Sequence, residues 1–421
     1  MIRMRNTAEH LDHPSAQGVV VPVMGGVLGL AVAMGIGRFA YTPLLPVMQD
    51  QFHFLPSFAG VLASWNYLGY LIGAILVGWL PGRLQQDVLW RYRFVMASLV
   101  GSALSTGAMA GTQSHILWYV LRGLGGLFSA SVMIFSSSLI MDWLAMRRQT
   151  QKIGVFYSGV GVGIALTGSL VPLLDRLGGW RLGWAGLGIA SLVMAGGAWF
   201  LMRPLRHMRK QESAFGSGGQ PTFERAPFPL WVITLAYGFE GLGYIVMATF
   251  VTVFFRHVSG SPWLGDVSWI FVGLAGAPST WIWVRVARAW GWGNAAYAAF
   301  MAQGVGILLP VVWPSVATAI VGSILFGGTF MGIATLSLSI GRQCAPNRAA
   351  RVIGRMTVMF SVGQVVGPVA AGWLTVATHT YGLAELLSGL LIVATAALLW
   401  TFRRSDGDSR AAALCREGGC T

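Results

Sequence analysis

The chain has 421 residues, of which 55% are hydrophobic and only 10% charged. That excludes an ordinary soluble domain, in which about 25% of residues are charged. The formal charge of +14 fits either a nucleic-acid surface or the basic loops of a membrane protein, and its distribution decides between them.

A helix needs about 20 mostly apolar residues to cross a hydrocarbon core. Runs of that kind lie at 19–46, 57–79, 94–112, 115–141, 153–173, 182–202, 229–255, 265–287, 292–312, 315–340, 354–377 and 382–402. Their lengths and glycine and proline content predict helices, since barrel strands would be about 10 residues of alternating polarity. The expected fold class is an all-α integral membrane protein with twelve transmembrane helices. The expected divisions are an N-terminal tail (1–18), a six-helix bundle (19–202), a basic linker (203–228), a second six-helix bundle (229–402) and a C-terminal tail (403–421).

In chain order, the first run is too long for the apolar core of a signal peptide and no small-residue cleavage site follows it, so it reads as a retained helix. Arg38 lies inside it in GIGRFAYTPLLPVM, with Tyr41 and Thr42 on its helical face at i+3 and i+4. Pro43 and Pro46 come next and either loosen the outer end of this helix or simply end it. The second run carries Asn66, Tyr67 and Tyr70 in ASWNYLGYLIGA, and the loop after it, GWLPGRLQQDVLWRYR, carries Arg83 and Asp87. Arg122 sits about seven residues into the fourth run, roughly 10 Å deep, and Gly126 follows one turn later. The fifth run has small residues at Gly154, Gly159, Gly163 and Gly168. A polar stretch from Arg203 to Phe228, rich in Gly, Pro, Ser and basic residues, divides the runs six and six. Glu240 interrupts the seventh run in YGFEGLGYIV. The eleventh contains Gly363, Gln364, Gly367, Pro368 and Gly372 in SVGQVVGPVAAGWL.

With the N-terminus inside and strict alternation, all but five of the 28 Lys and Arg fall on the cytoplasmic side. Arg176, Arg181 and Arg256 fall outside, and Arg38 and Arg122 within the membrane. That is the positive-inside pattern; it puts both termini in the cytoplasm and makes nucleic-acid binding an unnecessary explanation. Cys344, Cys415 and Cys420 then lie in a reducing compartment where disulfides are rare. The CREGGC tail lacks the paired spacing of a zinc site.

The halves echo one another. Gly35-Ile36-Gly37-Arg38 aligns with Gly241-Leu242-Gly243-Tyr244, and Gly159, Gly163 and Gly168 align with Gly363, Gly367 and Gly372. Parallel repeats around a midplane site describe the major facilitator architecture. On GIGRFAYTPLLPVM, ASWNYLGYLIGA, YGFEGLGYIV and SVGQVVGPVAAGWL, the chain resembles the major facilitator superfamily and, within it, bacterial permeases of the YbfB/YjiJ type. The resemblance spans all but about 18 residues at each end. Arg122 with Gly126 resembles the superfamily's Arg-x-x-x-Gly motif, and the Arg83–Asp87 loop a degenerate version of its cytoplasmic gating motif. The resemblance implies a secondary transporter and leaves the substrate open.

The intramembrane charges carry the functional reading, because an ionisable group near the bilayer centre costs at least about 2.5–3.5 kcal/mol. Arg38 either lines a central cavity or snorkels outward or pairs structurally; Arg122 either acts on an anion or proton site or holds helix-end carbonyls. Together they would make the first half of a cavity electropositive, favouring an anionic substrate. Tyr41, Asn66, Tyr67, Tyr70 and Gln364 are expected to orient that substrate or to satisfy one another. Glu240 is a proton carrier, one side of a static ion pair with Arg38 or Arg122, or a direct substrate contact. Arg83, Asp87, Gly159, Gly163, Gly363, Gly367 and Pro368 are assigned to gating and helix packing, where small residues let backbones approach and slide.

The histidines show no metalloenzyme spacing and no phosphate-cradling loop occurs, so neither an enzyme nor an ATP-driven pump is expected. No filter-like segment marks a channel. The expectation is a monomeric, proton-coupled secondary transporter of the bacterial inner membrane, without cofactor or metal, acting on a small organic anion. An efflux carrier for amphipathic compounds and a non-transporting membrane sensor are the two competing readings.

Overall fold

A computed structural model describes residues 16–208, 226–259 and 262–403. The N-terminal tail up to residue 15, the centre of the expected linker, and the C-terminal tail with Cys415 and Cys420 lie outside the described residues. Within them every regular element is a helix, the element whose backbone hydrogen bonds close internally in hydrocarbon. Eleven helices are long and apolar enough to cross a membrane: α1 Val19–Phe52, α2 Pro56–Trp79, α3 Val88–Gly111, α4 His115–Met146, α5 Thr150–Leu201, α6 Leu230–His257, α7 Trp263–Trp290, α8 Trp292–Val312, α9 Val316–Cys344, α10 Arg351–Thr378 and α11 Gly382–Thr401. Large apolar side chains such as Leu104, Ile116, Val193, Leu274 and Trp373 face outward, as a surface meant for lipid requires.

Twelve runs were expected, and the count of eleven takes the fifth and sixth runs together as Thr150–Leu201, which is two helices joined across a kink. The backbone leaves helical geometry at Gly178 (φ −169°, ψ 23°) and Gly179 (φ 62°, ψ −161°). Gly179 takes a left-handed angle that only glycine adopts cheaply. The chain turns back there, so a Cβ on Gly186 would stand 2.7 Å from Leu174 Cδ1. The third helix also begins earlier than hydropathy predicts, at Val88, bringing Arg91 and Arg93 into it. The fourth runs on to Met146.

In the first half α1 packs on α5, α2 on α4, and α3 on both α4 and α5; in the second, α6 packs on α10 and α11, α7 on α9, and α8 on α9 and α11. The halves meet where α5 lies on α7, α2 on α10 and α1 on α6. Gly159 and Gly163 face α1, while Gly363 and Gly367 face α6, so each glycine pair seats its helix on the first helix of its own half. The contact between halves uses other small residues. A Cβ on Gly273 would stand 2.2 Å from the Ala165 amide nitrogen, and one on Gly60 2.0 Å from the Pro368 carbonyl oxygen.

Polar contacts between halves run from mid-depth to the end of the bundle away from the linker. One set of them is a reciprocal clasp. Pro46 has no N–H, so the Thr42 carbonyl four residues before it lacks its helical partner. The Thr252 hydroxyl of α6 donates to that carbonyl at 2.6 Å, and the Thr42 hydroxyl donates to the Ala248 carbonyl at 2.6 Å. Farther out, Gln49 donates to the Tyr381 hydroxyl at 3.1 Å, and Arg256 bridges Asp50 at 3.7 Å and Asp266 at 3.5 Å. Ser64 donates to the Val365 carbonyl at 2.7 Å.

Candidate functional site

The site grows out of an irregular turn in α1. Residues Ala31–Ile36 form a π-helix, closed by the Gly37 amide donating to the Val32 carbonyl. Such a turn loosens the regular ladder and re-aims the next stretch of helix. Arg38 stands two residues beyond it, and its side chain does not reach outward: the residue is only 2% exposed. The guanidinium carbon lies 4.9 Å from the Tyr67 ring centre and 4.7 Å from that of Tyr70, both on α2. Ring faces attract a cation through their quadrupole but supply no lone pair, and Arg38 Nε has no hydrogen-bond partner.

Arg122, also buried, is anchored differently. Its Nη1 donates to the Gly37 carbonyl at 3.4 Å and its Nη2 to the Arg38 carbonyl at 3.2 Å, with the Tyr41 ring 5.0 Å away. Asn66 joins the same knot, donating to the Arg122 carbonyl at 2.9 Å and to Gly37 at 3.5 Å. One turn beyond Arg122, a Cβ on Gly126 would stand 1.9 Å from the Asn66 carbonyl oxygen, so α2 reaches α4 only because this residue is glycine. Arg122, Asn66 and Gly126 together hold the backbone that presents Arg38.

Of the other expected contacts, Tyr41 donates to the Ala59 carbonyl at 3.2 Å. Tyr67 meets Thr249 of α6 at 3.5 Å, across the two halves. Gln364 donates to the Tyr244 hydroxyl and leaves its own Oε1 buried without a partner. Tyr244 and Tyr237 of α6 stack on Phe360 of α10, with ring centres 5.5 and 4.4 Å apart and planes within 12°. The structure therefore groups Arg38, Tyr67 and Tyr70 in one half and Tyr237, Tyr244 and Gln364 in the other, with Tyr67 and Thr249 in contact between them. Arg83 sits apart, on a short helix Gly82–Gln86, and Asp87 caps α3 by accepting from the Trp90 amide at 3.0 Å.

Glu240 is buried in the second half and forms no ion pair with either arginine. Its two oxygens accept from Gln303 Nε2 at 2.8 and 3.0 Å, and Gln303 Oε1 accepts from Thr329 at 3.2 Å. Sequence reasoning missed Gln303, though an amide inside the apolar run MAQGVGILLP is a visible signal. It also missed Glu385, which is fully buried with no partner for either oxygen. In the sequence Glu385 looks like an ordinary first-turn acid, favoured there by the helix dipole. A third omission is the pair of Arg91 with Asp142, 2.9 Å apart between α3 and α4. Among the described residues no cluster of three or more His, Cys, Asp or Glu could hold a metal.

A bundle of apolar helices with polar and ionisable side chains gathered where its halves meet defines the class: a multi-pass membrane protein of the transporter type. Residues 30–400 match the profile of the family described as "Uncharacterised MFS-type transporter YbfB", and the chain belongs to that major facilitator family. It is 24% identical to "Uncharacterized transporter YybO" of Bacillus subtilis, over 87% of this chain and 89% of that one. It is 21% identical to "Hexuronate transporter" of Bacillus subtilis, over 85% and 88%. Over a shorter stretch, 30% of this chain and 29% of the other, it is 30% identical to "Cis,cis-muconate transport protein" of Acinetobacter baylyi.

Proposed function

We propose that this protein is a secondary transporter that moves a small organic anion across the bacterial inner membrane by alternating access, coupled to protons. The observation that carries the reading is Arg38, a buried cation in the first half with aromatic faces around it and no ion pair to a described carboxylate. A buried charge without a counter-ion is strongly disfavoured, and an anionic substrate would supply one. Two relatives named for carboxylates, hexuronate and muconate, support the same class of solute.

In this reading the chain crosses the membrane twelve times, α5 making two crossings around Gly178 and Gly179. Residues 19–202 and 229–402 form two six-helix bundles joined by the 203–228 linker, with both termini cytoplasmic and the molecule acting as a monomer. The described conformation is clasped at the outer end by Thr42, Thr252, Gln49 and Tyr381. Alternating access requires those bonds to break and inner-end contacts to form, with Gly161 and Gly273 between α5 and α7 as a smooth bearing. Arg83 and Asp87 then act at the inner gate. Glu240, held by Gln303 rather than by an arginine, is free to change protonation without breaking an ion pair, which suits a coupling group.

The efflux reading for amphipathic compounds draws support from the aromatic wall of Tyr237, Phe360 and Tyr244. Ligand-induced thermal stabilisation of purified protein separates the two. Stabilisation by organic anions, lost in Arg38→Gln, is the expected result. Stabilisation by amphipathic cations instead would replace this reading with efflux.

A further inference from the structure

At the linker end of the bundle the start of α3 lies beside the end of α5, and a cleft of about 440 Å³ opens there, lined by Leu89, Tyr92, Arg93, Trp199 and Arg206. We propose that this cleft binds the headgroup of an anionic phospholipid, with Arg93 and Arg206 on its phosphate and its chains along the outer face of α5. The inference needs only that the bundle sits in a bilayer, and it is independent of the solute reading above.

The cleft is held from within. Tyr92 is buried and its hydroxyl donates to the Trp199 carbonyl at 3.1 Å, which ties the start of α3 to the end of α5. Beyond Leu201 the chain enters a short 3-10 helix, Arg203–His207, and this turn supplies Arg206. Arg203 of the same turn lies on the Trp199 ring at 3.9 Å. A second cleft of about 340 Å³ shares Leu89 and Arg206 with the first and adds Arg83. The acid among its lining residues, Asp87, is engaged as the cap of α3. Four guanidiniums from three segments thus stand around two joined clefts against one carboxylate, and the guanidinium fork suits phosphate oxygens.

The surface next to the cleft selects a lipid over a soluble phosphate. Trp199, Phe200 and Val193 are 45%, 61% and 71% exposed. A Cβ on Gly196, one turn before Trp199 and Phe200, would meet no atom within 4 Å. Residues 193, 196 and 200 share a helical face, so an uncovered apolar strip runs from the cleft along α5, and acyl chains fit against it. Trp199 marks the depth of the headgroups, where tryptophan is enriched. Basic pockets between membrane helices recognise anionic headgroups by the same combination of cations and adjoining lipid-facing surface.

Lipid binding to the full-length protein in detergent, counted by native mass spectrometry and by thermal stabilisation, tests the inference. The probes are phosphatidylglycerol, zwitterionic phosphatidylcholine with the same chains, and glycerol 3-phosphate as a phosphate without chains. Phosphatidylglycerol is expected to bind about tenfold more tightly than phosphatidylcholine. That preference should vanish in the double variant Arg93→Gln with Arg206→Gln and return when both positions are lysine. Arg285→Gln, which removes an exposed arginine lying on Trp281 in the second half, should keep it. Equal binding of the two lipids by the wild type would overturn the inference. A preference lost equally in Arg285→Gln would also overturn it, as a response to overall charge. Glycerol 3-phosphate binding as tightly as phosphatidylglycerol would replace the lipid with a soluble phosphate compound. If the double glutamine variant does not fold, the single variants Arg93→Gln and Arg206→Gln carry the test, and a full preference in both would reject the cleft.

Discussion

In each half of the molecule one buried ionisable group is anchored by hydrogen bonds and another is not. In the first half Arg122 donates to the carbonyls of Gly37 and Arg38, whereas Arg38 has only the faces of Tyr67 and Tyr70. In the second, Glu240 accepts twice from Gln303, whereas Glu385 has no partner at either oxygen. The halves share a helical frame, seen in the way Gly163 seats on α1 and Gly367 on α6, but carry opposite charge on it. The difference teaches that burial alone does not assign a role. An anchored group stabilises the geometry around it, and an unanchored one has interactions still to make.

The largest effects should come from the two arginines, and they should differ in kind. Arg122→Gln removes two charge-assisted bonds to α1 and is expected to lower unfolding stability by on the order of 3 kcal/mol, read as a drop in melting temperature without ligand. Arg38→Gln should keep the melting temperature and weaken anion binding by at least about 30-fold. If the two variants behaved alike, the distinction between anchor and binder would collapse. Next, Glu240→Gln preserves shape and a partner for Gln303. Transport by it should lose its dependence on the proton gradient, while Glu385→Gln keeps that dependence; the opposite outcome in proteoliposomes would move the coupling role to the unanchored acid.

Replacing Glu385 by leucine should raise stability by about 1–3 kcal/mol, because it removes a buried polar group that makes no bond. A lower melting temperature would mean that the carboxyl has a partner after all. The smallest effect belongs to the clasp. Thr252→Val deletes one neutral hydrogen bond to the Thr42 carbonyl and should shift the balance towards the outward-open form by about fivefold. Distance measurements between labels on residues 49 and 381 would show that shift, and no change would mean that the clasp does not hold the outer end closed.

Much of the fold was legible because lipid imposes a coarse rule: apolar runs of sufficient length become helices. The gap between the fifth and sixth runs was visible in hydropathy, whereas the tight reversal at Gly178 and Gly179 was not, since hydropathy registers a polar gap and not a backbone angle. Arg38, Arg122 and Glu240 stood out in the sequence because a charge inside such a run is costly. Glu385 did not, because a carboxylate in a first helical turn is ordinary until its side chain is seen to point into the core. Asn66 and Arg122 were expected beside a cavity, and the structure shows what their donors do: they hold the α1 backbone at Gly37 and Arg38.

By itself the sequence determined the solvent in which this protein lives, the number of apolar runs and the presence of three charges inside them, all of which follow from transfer energies summed along the chain. Only the tertiary structure decided which charges have partners. Hydrogen bonds and ring contacts such as Glu240 with Gln303, Thr42 with Thr252, and Phe360 between Tyr237 and Tyr244 join residues from different helices. Their formation depends on where each helix face points after packing, to within an ångström or so, and no property of a single run carries that information.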